Sequence, residues 1–583
     1  MNIFMQVKSW MAEHGHGAER RTYLIRRLWC CMALLQLLIA VPSRGQNEEI
    51  PRLLRDGGHI QLMVDGSPFL MLGGQARNSS ASNLNDVEVV YNALDAMHAN
   101  TAEIPLSWNL LEPEPGKFDF HLVDGAIEGA RRHHLKLVFL WFGTTKNATF
   151  SYVPDWVKRD RTTYFRARDA RGDEMDAISP LCDAALKADQ HAFSAIMHHI
   201  REFDRHDHTV ILMQVENETG LIHTDRDYST IATRTFEAPV PSGLVAYLQA
   251  NRDHLTAPLQ SAWMQSGYRK SGTWTELFGD LAPEAFSAWC VSTYVDKVAE
   301  AGKAEYPIPY YINVALINTG AARPGEWPTG GAVYHVLDIW KALASHIDIV
   351  APDIYRTDFP EMASLYNRAD NVLFVPETGF SPYYAPYVFT TFAENGIGFS
   401  PFGVDPGNTN NDADPGYGQK NGDSVSMHST GAPTGPASSL EENYRVLRPL
   451  LPLIARNRYH GTLFPIVLGM YRHEAVAIPM GDSLTAVVHF DEKFVAETQA
   501  HRAGGIIVKI SPDTYIVAGE GFHVEWAELK GVPRNAEYLS IEEGTFDGDR
   551  WITKRVLNGD EENTTLPLRQ PRILQVRLNR ALQ

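Results

Sequence analysis

The sequence predicts an α/β fold: a (β/α)8 barrel followed by a C-terminal antiparallel β-sandwich. Two observations predict the barrel. Between residues 60 and 457 there are eight short apolar runs, and most are followed by a helix-like amphipathic run. A third observation predicts the second domain: after residue 458 the runs become short, turn-bounded and alternating. The expected organisation is a signal peptide over 1–45, the catalytic barrel over 46–457 and the sandwich over 458–583.

The eight strand candidates are FLMLGGQ (69–75), TAEIPLSW (101–108), LKLVFLWFG (135–143), VILMQVENE (210–218), YYINVALIN (310–318), IDIVAPDIY (347–355), NVLFVPETG (371–379) and GIGFSPFGV (396–404). Helices are expected over 86–99, 332–346 and 439–457. In the first, Val87, Val90, Leu94 and Met97 recur at helical spacing on one side. Ser438 and Ser439 open the last, with Glu441 and Glu442 in its first turn, where the helix dipole favours acids. An open doubly wound sheet is the alternative, but GGQARNSS (73–80) lacks the Gly-rich phosphate-loop fingerprint of that fold. The Gly-, Pro-, Asn- and Asp-rich segment 405–436 is expected as a long loop after the eighth strand, either a pocket wall or a tolerated insertion. Sandwich strands are expected over 484–490, 505–510, 514–519, 522–529 and 573–579; in the last, Leu574, Val576 and Leu578 alternate with Gln575, Arg577 and Asn579.

The chain has 583 residues, with 44% hydrophobic and 21% charged, a globular composition. Arg20, Arg21, Arg26 and Arg27 precede the apolar run 28–41, and Ser43 and Gly45 stand at small-residue cleavage positions. This reads as an export signal, with an uncleaved anchor as the alternative, and it predicts a periplasmic or extracellular protein. Residues 1–45 hold six basic and two acidic residues, so their removal takes the formal charge from −18 to −22. Such an acidic surface repels phosphate backbones, and nucleic acid is excluded as a partner. Of the four cysteines, only Cys182 and Cys290 lie outside the leader, too few for a multi-cysteine zinc site or a disulfide scaffold. They are read as two buried thiols, with a pairing left open.

In a (β/α)8 barrel the reacting groups stand at the C-terminal ends of strands. That rule selects Glu218, ending the fourth strand, and Glu377, ending the seventh. Both follow apolar runs, where partial desolvation raises a carboxyl pKa. Cleavage of a glycosidic bond needs such a pair, one protonated to assist the leaving oxygen and one ionised to attack carbon or activate water. On pattern alone Glu218 fits a satisfied rim carboxylate as well as a catalytic one. Residues 214, 216 and 218 are expected on one strand face, with Gln214 and Glu216 deeper and bonded within the barrel.

QVENETG (214–220) resembles the Q-[IV]-E-N-E-[YF]-G element of glycoside hydrolase family 35, with Thr219 in the aromatic position. EIPLSWNLLEPEPGKFDF (103–120) resembles its second-strand segment through Trp108, Glu112, Pro113, Gly116 and Phe118, and YVPDWV (152–157) resembles a further element. The chain thus resembles the family 35 β-galactosidases of the retaining (β/α)8 clan, in the bacterial branch with an appended β-rich domain. The resemblance implies Glu218 as general acid/base, Glu377 as nucleophile, Asn217 on the sugar 2-hydroxyl and Tyr355 as the tyrosine that orients the nucleophile. Gln75 and Arg77 depart from it, since an acidic residue and often a histidine are expected there.

Other substrate-binding candidates lie at strand ends. Trp141, Lys146 and Asn147 follow the third strand, Trp108 and Asn109 the second, and Asn78 the first. Each has a plain alternative: a packing tryptophan, a solvated lysine, a turn residue. Glu103 and Glu112 are read as structural, and Asp353 as an anchor for the Tyr355 loop. His133 with His134, and His198 with His199, are adjacent in sequence and share no face, so no metal site is expected. The expected activity is exo-acting, retaining removal of terminal β-D-galactosyl groups from oligosaccharides or plant cell-wall side chains. No metal or organic cofactor is expected, and homo-oligomerisation is left open. A clan relative with β-glucosidase or arabinosidase specificity, and a catalytically silent carbohydrate-binding protein, are the alternatives.

Overall fold

The eight apolar runs pair in sequence order into a closed parallel barrel in the computed structural model. Its strands are β1 (Met71–Gln75), β2 (Thr101–Ser107), β3 (Lys136–Lys146), β4 (Val210–Asn217), β5 (Tyr310–Ala315), β6 (Ile349–Ile354), β7 (Phe374–Thr378) and β8 (Gly398–Pro401). β8 returns to β1 through Gly398↔Met71 and Phe399↔Leu72. The structure describes residues 49–405, 436–469, 475–481, 484–491, 502–528, 534–558 and 566–579. The expected leader, and the expected loop beyond Asp405 as far as residue 435, lie outside them. Ile50–Gln583 form one unit, and no described helix is long and apolar enough to cross a membrane.

Strand period two divides each barrel strand between an inner and an outer face. On β3, Val138, Leu140 and Phe142 join Met71, Leu212, Tyr311, Ile349 and Phe374 in an inner cluster. Leu137, Phe139 and Trp141 face the surrounding helices. Ile60, Leu62 and Val64, from a small antiparallel sheet over Arg52–Pro68, belong to the inner cluster and close the N-terminal end. Towards the other end the inward series turns polar. Met71 and Gly73 lead to Gln75, Tyr311 to Asn313, and Ile349 and Ala351 to Asp353. The polar end is where chemistry can be placed.

The helix Leu84–Ala96 buries Val87, Val90 and Leu94, as their spacing requires, and Asn83 caps it by accepting the Asp86 N–H. The expected helix over 332–346 is shorter: a 3-10 turn at Tyr334–Val336, then Leu337–Leu343. The expected helix over 439–457 starts earlier and is broken into Pro436–Leu447, a 3-10 turn at Arg448–Leu450 and Leu451–Asn457. Pro449 and Pro452 lack the N–H that an unbroken helix needs, which accounts for both breaks.

The C-terminal sheets are antiparallel. The first runs β9 (Leu463–Gly469), β12 (Arg502–Lys509), β13 (Thr514–Glu520), β19 (Arg572–Asn579), β16 (Glu537–Asp547), β17 (Arg550–Leu557). The second runs β10 (Val476–Gly481), β11 (Leu484–Phe490), β14 (Phe522–Glu528), β15 (Arg534–Asn535), with β18 (Leu566–Leu568) also on β14. Leu574, Val576 and Leu578 of β19 face Ala486, Val488, Val524 and Trp526 of the second sheet across a shared core. The first sheet is buried on its other face too: Ile506, Val508, Ile516, Ala518 and Ile573 belong to the barrel's outer core. Gly504 permits that close approach, because a Cβ there would stand 2.7 Å from Pro386 Cβ and 3.1 Å from Phe389. Cys182 and Cys290 are both buried and free.

Candidate active site

Glu218 immediately follows β4, and Glu377 lies in β7. One carboxyl oxygen of each, together with one of Asp353, lie within 4.8 Å of one another. Asp353 and Glu377 are register partners on neighbouring strands. The two residues selected by the strand-end rule therefore converge, and a third carboxyl joins them.

The expectation that 214, 216 and 218 share a face fails for a backbone reason. Glu216 (φ 62) and Glu218 (φ 43) both occupy the left-handed region, so the two-residue alternation breaks at the end of β4. Glu216 turns towards the helices while still bonding within the barrel wall, to the neighbouring strand β3. Its carboxyl accepts the Thr145 N–H at 2.6 Å and the Thr144 N–H at 3.2 Å, and it lies against Asp189 of helix Asp183–Asp204. Burial, and then the Asp189 carboxyl, push Glu216 well above the usual carboxylate range. Glu218 stays at the rim, half-buried, its N–H held by Asn313 Oδ1 at 2.9 Å.

Glu377 is 8% exposed and gripped at both oxygens. The Tyr355 hydroxyl donates to Oε1 at 2.7 Å, and Gln75 Nε2 donates to Oε2 at 3.2 Å. Burial, and then Glu377 itself, push the Tyr355 phenol up, so it remains a neutral donor. Asn217 is fully buried, yet neither its Nδ2 nor its Oδ1 has a hydrogen-bond partner among the described residues. A buried amide left so costs ~1–3 kcal/mol, which a bound hydroxyl would recover. Asn78 Oδ1 and Asn109 Oδ1, past the ends of β1 and β2, are buried and unpartnered in the same way.

Lys146 is not a solvated lysine: it is 5% exposed. Its Nζ donates to Asn147 Oδ1 at 2.7 Å, lies 5.0 Å from the Phe142 ring centre, and acts electrostatically on Asp353. The two tryptophans proposed for the sugar subsite lie elsewhere. Trp141 points outward, fully buried, with Nε1 on Asp189 Oδ1 at 2.9 Å. Trp108 is equally buried, packed 6.2 Å from Trp141 between ring centres, with Nε1 on Glu112 Oε2 at 2.7 Å. Glu112 also accepts the Gly116 N–H at 2.7 Å, where Gly116 takes φ 72. The Trp108, Glu112 and Gly116 motif thus builds a turn. A continuous apolar strand carries no polarity signal to separate inner from outer positions, which is why Trp141 could be read either way; Trp108 lies just past its strand, in the short helix Trp108–Leu111.

Asn313 was not singled out from the sequence, Gln75 was noted only as a departure from the family form, and Asp353 only as an anchor for the Tyr355 loop. The signal available was a polar residue at an inward position near a strand's C-terminal end. Glu103, also inward, is fully buried; burial pushes it well above the usual range, and the Tyr311 hydroxyl reaches it at 3.4 Å. Among the described residues a second set of convergent donors, His489, His523 and Glu525, lies on the outer face of the second C-terminal sheet. His133 pairs with Glu88 and Asp95, His198 with Glu305, and His199 with Asp124.

Residues 83–300 match the family model of glycoside hydrolase family 42, described as β-galactosidase. Residues 440–569 match a domain of unknown function. No curated protein matches the chain. The solved β-galactosidase of the Antarctic haloarchaeon Halorubrum lacusprofundi is 18% identical with TM-score 0.39, over 57% of this chain and 52% of its own. That of Bacillus circulans sp. alkalophilus is 13% identical with TM-score 0.43, over 66% and 57%. The catalytic domain of the Paenibacillus polymyxa β-amylase is 11% identical with TM-score 0.39, over 57% and 92%. This chain spans about half the length of the two β-galactosidases. The family match is to family 42, not family 35, and covers Asn217 and Glu218 but stops before Glu377. The segment that builds β2 to β4 is thus similar to β-galactosidase-like glycoside hydrolases, the reaction class to which the convergent carboxyl pair also points.

Proposed function

We propose that this protein is a retaining β-galactosidase acting on terminal, non-reducing β-D-galactosyl groups of oligosaccharides or plant cell-wall side chains. The observation that carries the reading is that one carboxyl oxygen of Glu218 and one of Glu377 lie within 4.8 Å of each other at the polar end of the barrel, which fits the shorter of two carboxyl spacings. Retaining enzymes hold their carboxyls roughly 5–5.5 Å apart and inverting ones roughly 6.5–9.5 Å apart, the latter leaving room for a water. The family 42 match supports the galactoside. The fourth-strand motif QVENETG keeps a family 35 affinity as the finer reading. Both readings assign the same role to the glutamate that ends β4.

In this reading Glu377, ionised and held by Tyr355 and Gln75, attacks the anomeric carbon. Glu218 gives its proton to the leaving oxygen, then takes one from the incoming water. The Asn217 amide meets the 2-hydroxyl, a contact that tightens in the oxocarbenium-like transition state. A panel of 4-nitrophenyl glycosides tests this, with the first-formed sugar followed by proton NMR. The β-galactoside is expected to be the best substrate and β-galactose the first product. Preference for a β-glucoside or an arabinoside, release of α-galactose, or no turnover at all would each overturn the corresponding part.

A further inference from the structure

Asp353 is 2% exposed and sits at the inward end of β6. Its Oδ2 accepts Asn313 Nδ2 at 2.7 Å. Its Oδ1 is buried, and no backbone, amide, hydroxyl or basic group among the described residues donates to it. One carboxyl oxygen of Glu218 lies within 4.8 Å of one of Asp353, placed for a side-chain hydrogen bond between the two groups, and two carboxyl groups form such a bond only with a proton between them. Asn313 connects the two a second time, since its Oδ1 holds the Glu218 N–H while its Nδ2 holds Asp353. One amide therefore fixes both members. The charged and titratable groups facing the pair are Glu377 from β7, Lys146 from the end of β3, and the Tyr355 and Tyr311 phenols. Burial, and then Glu377 and Glu218, push Asp353 well above the usual carboxylate range; Lys146 opposes them.

We propose that Asp353 is a positioning residue for Glu218: Asp353 Oδ1 accepts the hydrogen bond of the Glu218 carboxyl proton and keeps that proton on the pair until the leaving oxygen takes it. The inference rests on the glycosidase reading above. Before reaction Glu377 is ionised and one proton is shared by Glu218 and Asp353. As Glu377 bonds to the anomeric carbon, the bond to the leaving oxygen breaks with its electron pair on oxygen, and Glu218 supplies the proton. Glu377 is then an ester, and Glu218 and Asp353 are both ionised. Water attacks the same carbon, its proton passes to Glu218, and the electron pair of the broken ester bond returns to Glu377. The number of ionised carboxyls is the same at each stage, so a buried site carries no change of net charge through the cycle.

The test is Asp353→Asn in the full chain, assayed as kcat/KM against pH on two aryl glycosides of the sugar the wild type prefers. Removing a like charge beside Glu218 lets it lose its proton more readily, so the alkaline limb moves to lower pH, by about one unit. The phenyl glycoside, whose leaving group needs the proton, loses ~10²-fold. The 2,4-dinitrophenyl glycoside, which leaves unaided, changes by less than about 3-fold. An unmoved limb with equal losses on both substrates overturns the proposal and leaves Asp353 a purely structural residue. Should Asp353→Asn fail to fold, or the wild type cleave neither glycoside, carboxyl-carbon NMR titration of the wild type and Glu218→Gln decides. A titration step above the ordinary carboxylate range must be moved or removed by Glu218→Gln. If every such step is unaffected, the two carboxyls share no proton, whatever the substrate of the enzyme.

Discussion

The Tyr355 hydroxyl and Glu377 Oε1 are joined by a 2.7 Å hydrogen bond that spans two adjacent barrel strands' ends. It holds the Glu377 carboxylate, the proposed nucleophile, at one oxygen while Gln75 holds the other. A hydrogen bond to a charged group is worth ~1.5–3 kcal/mol. Tyr355→Phe is therefore expected to lower kcat/KM roughly 10- to 150-fold while the melting temperature stays within a few degrees. An unchanged kcat/KM would mean that Gln75 alone positions the nucleophile.

Glu377→Gly should reduce turnover of an activated aryl galactoside by several orders of magnitude, since the covalent step is lost. Added azide is expected to restore turnover by entering the vacated space and yielding a galactosyl azide, identified by mass spectrometry and NMR. No azide adduct would move the nucleophile's role to another group.

Asn217 carries two amide atoms that no described residue pairs. Asn217→Ala is expected to lower kcat/KM ~10- to 10³-fold on a galactoside, and very little on its 2-deoxy analogue. Equal losses on the two substrates would show that the amide does not meet the 2-hydroxyl.

Trp141 lies outside the barrel on Asp189, so Trp141→Phe should affect stability before catalysis. The lost hydrogen bond and the small void together are expected to cost ~1–3 kcal/mol in urea unfolding, with kcat/KM within about 3-fold of wild type. A loss of activity without loss of stability would return this tryptophan to the sugar subsite.

Glu103 gives a pH signature. Its carboxyl is raised in the folded state by burial, so folding favours the protonated form. Its stabilising contribution is full below the unfolded value near 4.5 and is lost as pH rises towards the folded value. Glu103→Gln has no proton to lose. It should melt no higher than wild type at pH 4 and higher at pH 8, by ~1.4 kcal/mol for each unit of displacement. Parallel melting curves for the two proteins across that range would exclude a raised Glu103.

Much of the barrel was legible because each strand is an apolar run long enough to stand apart from its connections, and the strand-end rule then reached Glu218 and Glu377. Tyr355 came only through family likeness. What stayed hidden was direction. β3 is buried on both faces, so nothing in LKLVFLWFG separates Phe142 inside from Trp141 outside. Two left-handed residues at the end of β4 could not be read from period two, and they part Glu216 from Glu218. In the second domain β16 and β17 escaped because they expose Leu539 and Val556 among charged residues, so no clean alternation marks them.

The sheet that contains β12 and β13 gives one face to the sandwich and the other to the outer shell of the barrel. Ile506, Val508, Ile516 and Ala518 therefore act as a seam. A fragment ending near residue 458 would bare the greasy patch around Pro386 and Phe389, against which Gly504 rests. Such a fragment is expected to aggregate rather than work, so the C-terminal domain is a structural half of the enzyme and not a detachable appendage.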